Sequence, residues 1–386
     1  MDDAESVVFH NGSFRCQVGF ERGSAPHDIF PSVVGYPKSK SYISALPSFM
    51  IKQHYVGDDA HCKRALLSLN HPIEQGIITN WDDIEKLWHH AFYDLLRVAP
   101  EETPVLMTEA PFNPKYNREK MIQTVFETFH VPSFYVAVSS VLSLYSANRV
   151  TGCVVDSGHD VTHVVPIYEG HALRHTSLRL DVAGRQLTDY LAKLLNAQQQ
   201  QSLSSSSSSS ISSLVTEEDV RDMKEKLCYV ALDFDEEVRQ GASNKSAYEL
   251  PDGQIFEVAD SRFRVECTEP LFQPGALLGL ECGGIHETTF NAIMKSDIEI
   301  RRELANNIVL AGGTTMFPGL ARRMEKELGT LLPAATQVRV LDRPERKYSA
   351  WVGGCVLSSL SVFRKAWISK ADYNEIGPHI VHSMCW

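Results

Sequence analysis

The sequence predicts an α/β protein of two lobes. Three observations point there: short apolar strand patterns alternate with amphipathic helix patterns, one strand–turn–strand motif occurs twice, and 386 residues are enough for two cores. Apolar residues make up 43% and charged residues 22%, a globular rather than a disordered or fibrous composition. Lys and Arg number 37 against 48 Asp and Glu, a formal net charge of -11. That balance argues against a general nucleic-acid binder and against docking on an anionic membrane, since both select basic surfaces. No apolar run approaches the ~20 residues of a membrane helix. The acidic start Met1-Asp2-Asp3-Ala4-Glu5 lacks the apolar stretch of a secretory signal. The eight cysteines are scattered without a CxxC pair, several of them inside apolar runs such as Gly152-Cys153-Val154-Val155. They read as reduced, mostly buried thiols rather than a metal set.

Along the chain, Val7 to Ser13 leads through a Gly-containing turn into Phe14 to Phe20, a hairpin pattern. Helical spacing follows over Ile84–Leu96 and Asn117–Phe129. The motif returns where Val154-Val155-Asp156-Ser157-Gly158 leads into His159 to Val165, which suggests two related halves with a ligand between them. Leu187 to Leu195 reads as a helix, followed by four glutamines (198–201) and seven serines (204–210). The tract 198–213 cannot bury apolar surface and is expected to be a flexible surface insertion between two helices. The second of these opens at Thr216-Glu217-Glu218-Asp219, a capping-box pattern, and continues through Met223, Leu227, Val230 and Ala231. Near the end of the second half, the short buried strand Ile308-Val309-Leu310 runs into Gly312-Gly313-Thr314-Thr315 and then a helix from Gly319 to Leu328.

Longer stretches resemble the actin family. They are Gly76-Ile77-Ile78-Thr79-Asn80-Trp81-Asp82-Asp83, Leu106-Met107-Thr108-Glu109-Ala110-Pro111, Val165-Pro166-Ile167-Tyr168-Glu169-Gly170, Lys224 to Asp233, Gly283 to Thr289, Pro344-Glu345-Arg346-Lys347-Tyr348-Ser349 and Pro378 to Trp386. They occur in order over essentially the whole chain except the Gln/Ser insert. The resemblance implies the actin fold, a duplicated two-lobed architecture of four subdomains around a nucleotide cleft. Residues 1–31, 72–146 and 349–386 would form the first subdomain, and 32–71 the second, with a mobile outer loop at about 36–54. Residues 147–182 and 281–348 would form the third, and 183–280 the fourth, carrying the insert 198–213.

In that family the two hairpins hold the phosphates of ATP or ADP with Mg²⁺, because backbone N–H groups in tight turns bind anions and carboxylates hold the metal's waters. By resemblance the nucleotide contacts are Asn11, Gly12, Ser13, Ser157, Gly158, Lys224, Glu225, Gly312, Gly313, Thr314, Met316, Phe317 and Lys347. Asp156 would face the metal, and Asp156 with His163 are the residues left for catalysis. The first hairpin departs from the family: His10 stands in place of an Asp facing the metal, Phe14 in place of a Gly, and Gln17 in place of the phosphate-binding Lys. Ser139 replaces the Gln that positions the attacking water, while His159 and Asp160 replace an acid and a Gly in the second hairpin. Phosphoryl transfer depends on positioning and charge stabilisation, so these changes imply an ATPase machinery in decay and negligible hydrolysis.

His10, His159 and His163 could converge with Asp156 on a transition metal or a pH-dependent anion, the alternative being ordinary hydrogen-bonded histidines. Tyr145, Val352, Val356, Leu357 and Leu360 resemble the apolar groove where actin partners insert a helix; the same stripe would otherwise be plain core. The rewritten outer loop, with Pro47, points to poor copolymerisation with ordinary actin. Gly275 to Leu280 keeps an apolar plug, and Asp2, Asp3 and Glu5 keep an acidic terminus open to a basic partner. The leading expectation is an actin-like cytoskeletal structural or regulatory protein, cytoplasmic, with actin-family or actin-binding partners and self-assembly open. The alternatives are a polymerising, ATP-hydrolysing actin and a nuclear actin-related subunit of a chromatin-remodelling complex.

Overall fold

The computed structural model describes residues 5–38, 52–203, 216–240, 246–249, 255–258 and 262–385. Most of the outer loop (39–51, with Pro47), the serine-rich part of the insert (204–213) and the acidic residues Asp2 and Asp3 lie outside the described residues. The chain forms two compact units. The first comprises Met1–Val154, Ile167–Arg174 and Tyr348–Trp386, the second Val155–Pro166 and His175–Lys347.

The elements that position the candidate site are, in chain order, β1 (Val7–Asn11), β2 (Arg15–Phe20), β3 (Asp28–Pro31), β4 (Val105–Glu109), α1 (Lys115–Glu127), β5 (Ser133–Val138) and α2 (Ser139–Ser146). They continue with β6 (Gly152–Ser157), β7 (Thr162–Tyr168), β8 (His171–Ala172), β9 (Leu178–Leu180), α3 (Gly184–Leu203) and α4 (Glu217–Leu227). Last come β10 (Ile308–Ala311), α5 (Leu320–Leu331), β11 (Val340–Leu341), α6 (Ser349–Ser359) and β12 (Ile368–Ser369).

In the first unit a six-stranded sheet runs β12-β5-β4-β1-β2-β3. β4 lies between β1 and β5, parallel to both, and all five of its residues are buried. A strand covered on both faces reads as a continuous apolar run rather than an alternation, as Val105-Leu106-Met107 does. β1 and β2 form the expected hairpin, in a register that sets His10 directly opposite Gln17. Trp88, Trp351, Phe9, Phe92, Phe126 and Phe134 are the largest side chains of the core here. The helix expected over Ile84–Leu96 is an α-helix from Trp81 to His89, capped by the Asn80 side chain, that widens into π-turns over His90–Leu96. The wider turns set Ala91, Phe92 and Leu96 against the core.

The second unit is built around a sheet of order β8-β7-β6-β10-β11, with β9 paired to β7. The first half of β6 (152–154), the far end of β7 and β8 are grouped with the first unit. Leu187, Leu191 and Leu195 bury one stripe of α3, and Leu320, Met324 and Leu328 one stripe of α5, each at the four-residue spacing that fixes a helix face.

Two expectations are corrected. Val230 and Ala231 do not extend the second helix: α4 ends at Leu227, Cys228 is already extended, and the Val230 N–H donates to the Pro318 carbonyl at 2.9 Å. The glutamines do not begin a loop, since α3 continues through them to Leu203. Glutamine keeps most of its rotamer freedom in a helix. The capping box at Thr216 and Asp219 is present as the sequence predicts. Six of the eight cysteines are buried, Cys62 and Cys282 are exposed, and all are free thiols.

α6 packs against α2 with no room for a side chain at Gly353, where a Cβ would lie 1.8 Å from the Leu142 carbonyl oxygen. Gly353→Ala is therefore expected to destabilise the protein by about 2–3 kcal/mol. Gly329→Ala in α5, where a Cβ meets nothing within 4 Å, is expected to be neutral or slightly stabilising. Thermal unfolding of the two variants beside the parent checks both, and equal midpoints would contradict the close helix contact.

Candidate nucleotide site

In the first unit the candidate residues sit at the turn between β1 and β2. The turn is held by neighbours on all sides. The Ser32 hydroxyl donates to the Gly12 carbonyl at 2.6 Å, the Gly76 N–H donates to Ser13 Oγ at 2.8 Å, and Trp88 Nε1 donates to Asn11 Oδ1 at 3.1 Å. The Asn11 N–H reaches Thr108 Oγ1 at 3.3 Å, while the side-chain Nδ2 of Asn11 is buried without a partner among the described residues. His10 Nδ1 shares a 2.9 Å hydrogen bond with the same Thr108 hydroxyl. Burial pushes the His10 imidazole down to about 4, so it is neutral at pH 7. Its cross-strand partner Gln17 is buried and uncharged. His10 and Gln17 thus form an uncharged cross-strand pair. Phe14 lies under the guanidinium of Arg15, 5.4 Å from its ring centre.

In the second unit five segments meet around the β6–β7 turn. The Gly158 carbonyl accepts from the Gly184 N–H at 3.1 Å and from Thr314 Oγ1 at 2.6 Å. Lys224, buried on α4, donates to the Gly184 carbonyl at 2.7 Å and to Thr188 Oγ1 at 2.9 Å, and burial lowers its pKa. Gly312 has φ +87, and a Cβ there would lie 2.3 Å from the Ser157 carbonyl oxygen and 2.7 Å from Asp156 Oδ1. Only glycine satisfies both constraints. At Gly313 a Cβ would meet nothing within 4 Å, so its face is open. The Gly312 N–H donates to the Arg346 carbonyl at 3.1 Å, and Arg346 Nε and Nη2 donate to the Thr315 carbonyl. That ties the glycine pair to the turn Arg346–Tyr348, which carries Lys347.

Asp156, Ser157, Gly158, Lys224, Gly312 and Thr314 are therefore brought together in the second unit, with Lys347 on the adjoining turn. Glu225 points to solvent on the exposed side of α4, Met316 is partly exposed, and Phe317 is buried. The hydroxyl of Ser157 is already engaged by Thr162 Oγ1 at 2.7 Å, which itself donates to the Val182 carbonyl. Burial raises the Asp156 carboxyl to about 6. His163, across from Arg179 on β9, is pushed down to about 4 by burial. His159 is lowered to about 4 by burial as well, against the opposing pull of Asp160.

Ser139 opens α2 and is buried; its carbonyl accepts from Ser143 Oγ at 3.0 Å. Its short side chain cannot extend the way a glutamine amide does. The groove residues divide. Tyr145, Val352 and Leu357 pack against the core of the first unit, as the plain-core alternative requires, whereas Val356 and Leu360 are 39% and 51% exposed.

Among the described residues, His10, His159, His163 and Asp156 do not form a group of donor atoms within 4.8 Å of one another. His10 is engaged with Thr108. Among the described residues the three metal-ligating side chains whose donor atoms lie within 4.8 Å of one another are Glu119, His379 and His382, all in the first unit. Sequence reading missed this group, and it missed Thr108, Gly184 and Thr188 as supports. The i, i+3 spacing of the two histidines was visible, but nothing local linked them to Glu119. The family model described as Actin matches residues 1–386, the whole chain.

The histidines of the two hairpins, His163 buried and His10 and His159 half-buried, make acid stability a test of the geometry. Unfolded, His10, His159 and His163 take up protons near 6.5; folded, they do so near 4. Between those values the unfolded chain holds more protons, so stability falls as pH drops through this window. Asp156 works in the opposite sense, because its folded value of about 6 lies above the unfolded 3.8. The histidines outnumber it, so the melting temperature is expected to fall from pH 6.5 to 4.5. His163→Gln should flatten that slope, and a parent slope of zero or opposite sign would refute the burial of these rings.

Proposed function

Because the chain belongs to the actin family, we propose that it is an actin-like structural or regulatory component of the cytoskeleton that holds ATP or ADP but hydrolyses ATP slowly or not at all. Members of this family bind nucleotide with a divalent metal, and the residues here fit that ligand unequally. The second unit suits an adenine nucleotide: it offers the open backbone at Gly313, a glycine pair followed by a helical turn, and the ammonium of Lys224. Asp156 supplies one carboxylate of the kind that holds water on Mg²⁺. The hairpin of the first unit offers neither a carboxylate for the metal nor an ammonium for the phosphates on its buried face.

The observation that carries the reading is the pair His10 and Gln17, cross-strand neighbours that are both neutral at pH 7. A phosphate contact through Lys in place of Gln17 would be charge-assisted, an interaction of about 1.5–3 kcal/mol. Binding through the second unit survives such a loss better than catalysis does, since phosphoryl transfer needs every stabiliser of the developing charge in place. The exposed Val356 and Leu360 support docking of a partner's apolar helix, as actin-binding proteins do.

The test has two parts. Purified protein, denatured and analysed for released nucleotide, is expected to yield ADP or ATP. Phosphate release from Mg-ATP is expected to be slower by about a hundredfold or more than that of a polymerising actin assayed alongside. Turnover equal to that actin would overturn the proposal, and an empty chain would reduce it to a scaffold without ligand. The double substitution H10D/Q17K is expected to tighten nucleotide binding by about tenfold or more.

A further inference from the structure

The C-terminal turn carries two imidazoles that meet one carboxylate. His379 lies in the 3₁₀ turn Pro378–Ile380 and His382 in the helical turn Val381–Met384. Both rings reach Glu119 Oε1, His379 through Nδ1 at 2.9 Å and His382 through Nε2 at 2.8 Å. Glu119 sits on α1, 260 residues away from His379 in the chain.

The backbones on both sides are fixed. Ile380, Val381 and Cys385 are buried in the core, and Arg118 Nη1 donates to the Cys385 carbonyl at 2.8 Å. The three donor atoms therefore converge from two anchored elements, and only side-chain torsions stand between this arrangement and a coordination site.

We propose that Glu119, His379 and His382 form a binding site for a divalent transition metal of the zinc class, which clasps the C-terminal turn to α1. Two neutral imidazoles and one carboxylate are the donor set that zinc, cobalt and nickel prefer, whereas Mg²⁺ and Ca²⁺ select oxygen. Metal–ligand bonds of about 2.0–2.2 Å in a tetrahedral site separate the ligand atoms by roughly 3.3 Å. The present contacts must open by about half an ångström to admit the ion. The His379 side chain is 79% exposed and free to swing by that amount. The same exposure leaves water a way to the fourth position. Each ring then carries its N–H on the other nitrogen, so the metal takes the place of the two hydrogen bonds now shared on Glu119 Oε1. The site shares no residue with the proposed nucleotide contacts, so it stands or falls separately from that reading.

The experiment uses the full chain with excess Mg²⁺ and with the exposed thiols of Cys62 and Cys282 alkylated, so that oxygen-only and thiolate sites are silent. Zn²⁺ titration by calorimetry is expected to show one ion per chain, and Co²⁺ to give the visible absorption of a low-coordinate nitrogen–oxygen site. His379→Ala and His382→Ala should each weaken Zn²⁺ by at least tenfold, and Glu119→Gln should do the same. Zn²⁺ should raise the melting temperature of the parent and leave that of H379A unmoved. Because His379 is on the surface, H379A decides the matter even if H382A proves unstable. Zn²⁺ isotherms that coincide in the parent and H379A, or no Co²⁺ absorption in the parent, would overturn the site.

Discussion

Arg118 is the residue on which the first unit turns. Its guanidinium is buried and reaches two places at once: Nε and Nη2 bind the Glu109 carboxylate at the end of β4, and Nη1 binds the Cys385 carbonyl. A buried charge is tolerated only when its partners are complete, and removing one side of such a pair costs about 3–5 kcal/mol. The consequence reaches the candidate site in two steps. β4 lies beside β1, and Thr108, next to Glu109, is the hydroxyl that holds both His10 and Asn11. The geometry of the first hairpin is thus inherited from an ion pair that touches none of its residues.

The second unit reaches a similar end by different means. Its turn is fixed less by charge than by close approach of backbones: Gly312 against Ser157, Gly184 and Thr314 on the Gly158 carbonyl, and Lys224 on the carbonyl of Gly184. The two hairpins therefore share a plan but differ in chemistry. One ends in a neutral face of His10 and Gln17; the other gathers an ammonium, a carboxylate and open glycine backbone. That difference in chemistry is what the proposed binding without efficient hydrolysis rests on.

Much of this was legible where the determining forces are local. The hairpins follow from turn residues, the strand before Gly312 from a short apolar run, and the helix at Thr216 from its capping box. Reading failed where local pattern and neighbours disagree. Val230 and Ala231 keep helical spacing, yet Val230 bonds to Pro318 instead of continuing α4. Ile84 to Leu96 reads as one helix, yet its second half widens into π-turns. The supports of the site were hidden for a simpler reason. Thr108 is 98 residues from His10, and Glu119 is 260 from His379, distances over which no periodicity in a single chain carries information.

The capping box of α4 has a consequence of its own. Thr216 Oγ1 accepts from the Asp219 N–H, and Asp219 accepts from the N–H of Thr216, so the first turn of the helix is closed by its own residues. A helix that supplies its own beginning makes no demand on what precedes it. The start of α4, and with it the register of Lys224, is thereby set within the helix's own first turn.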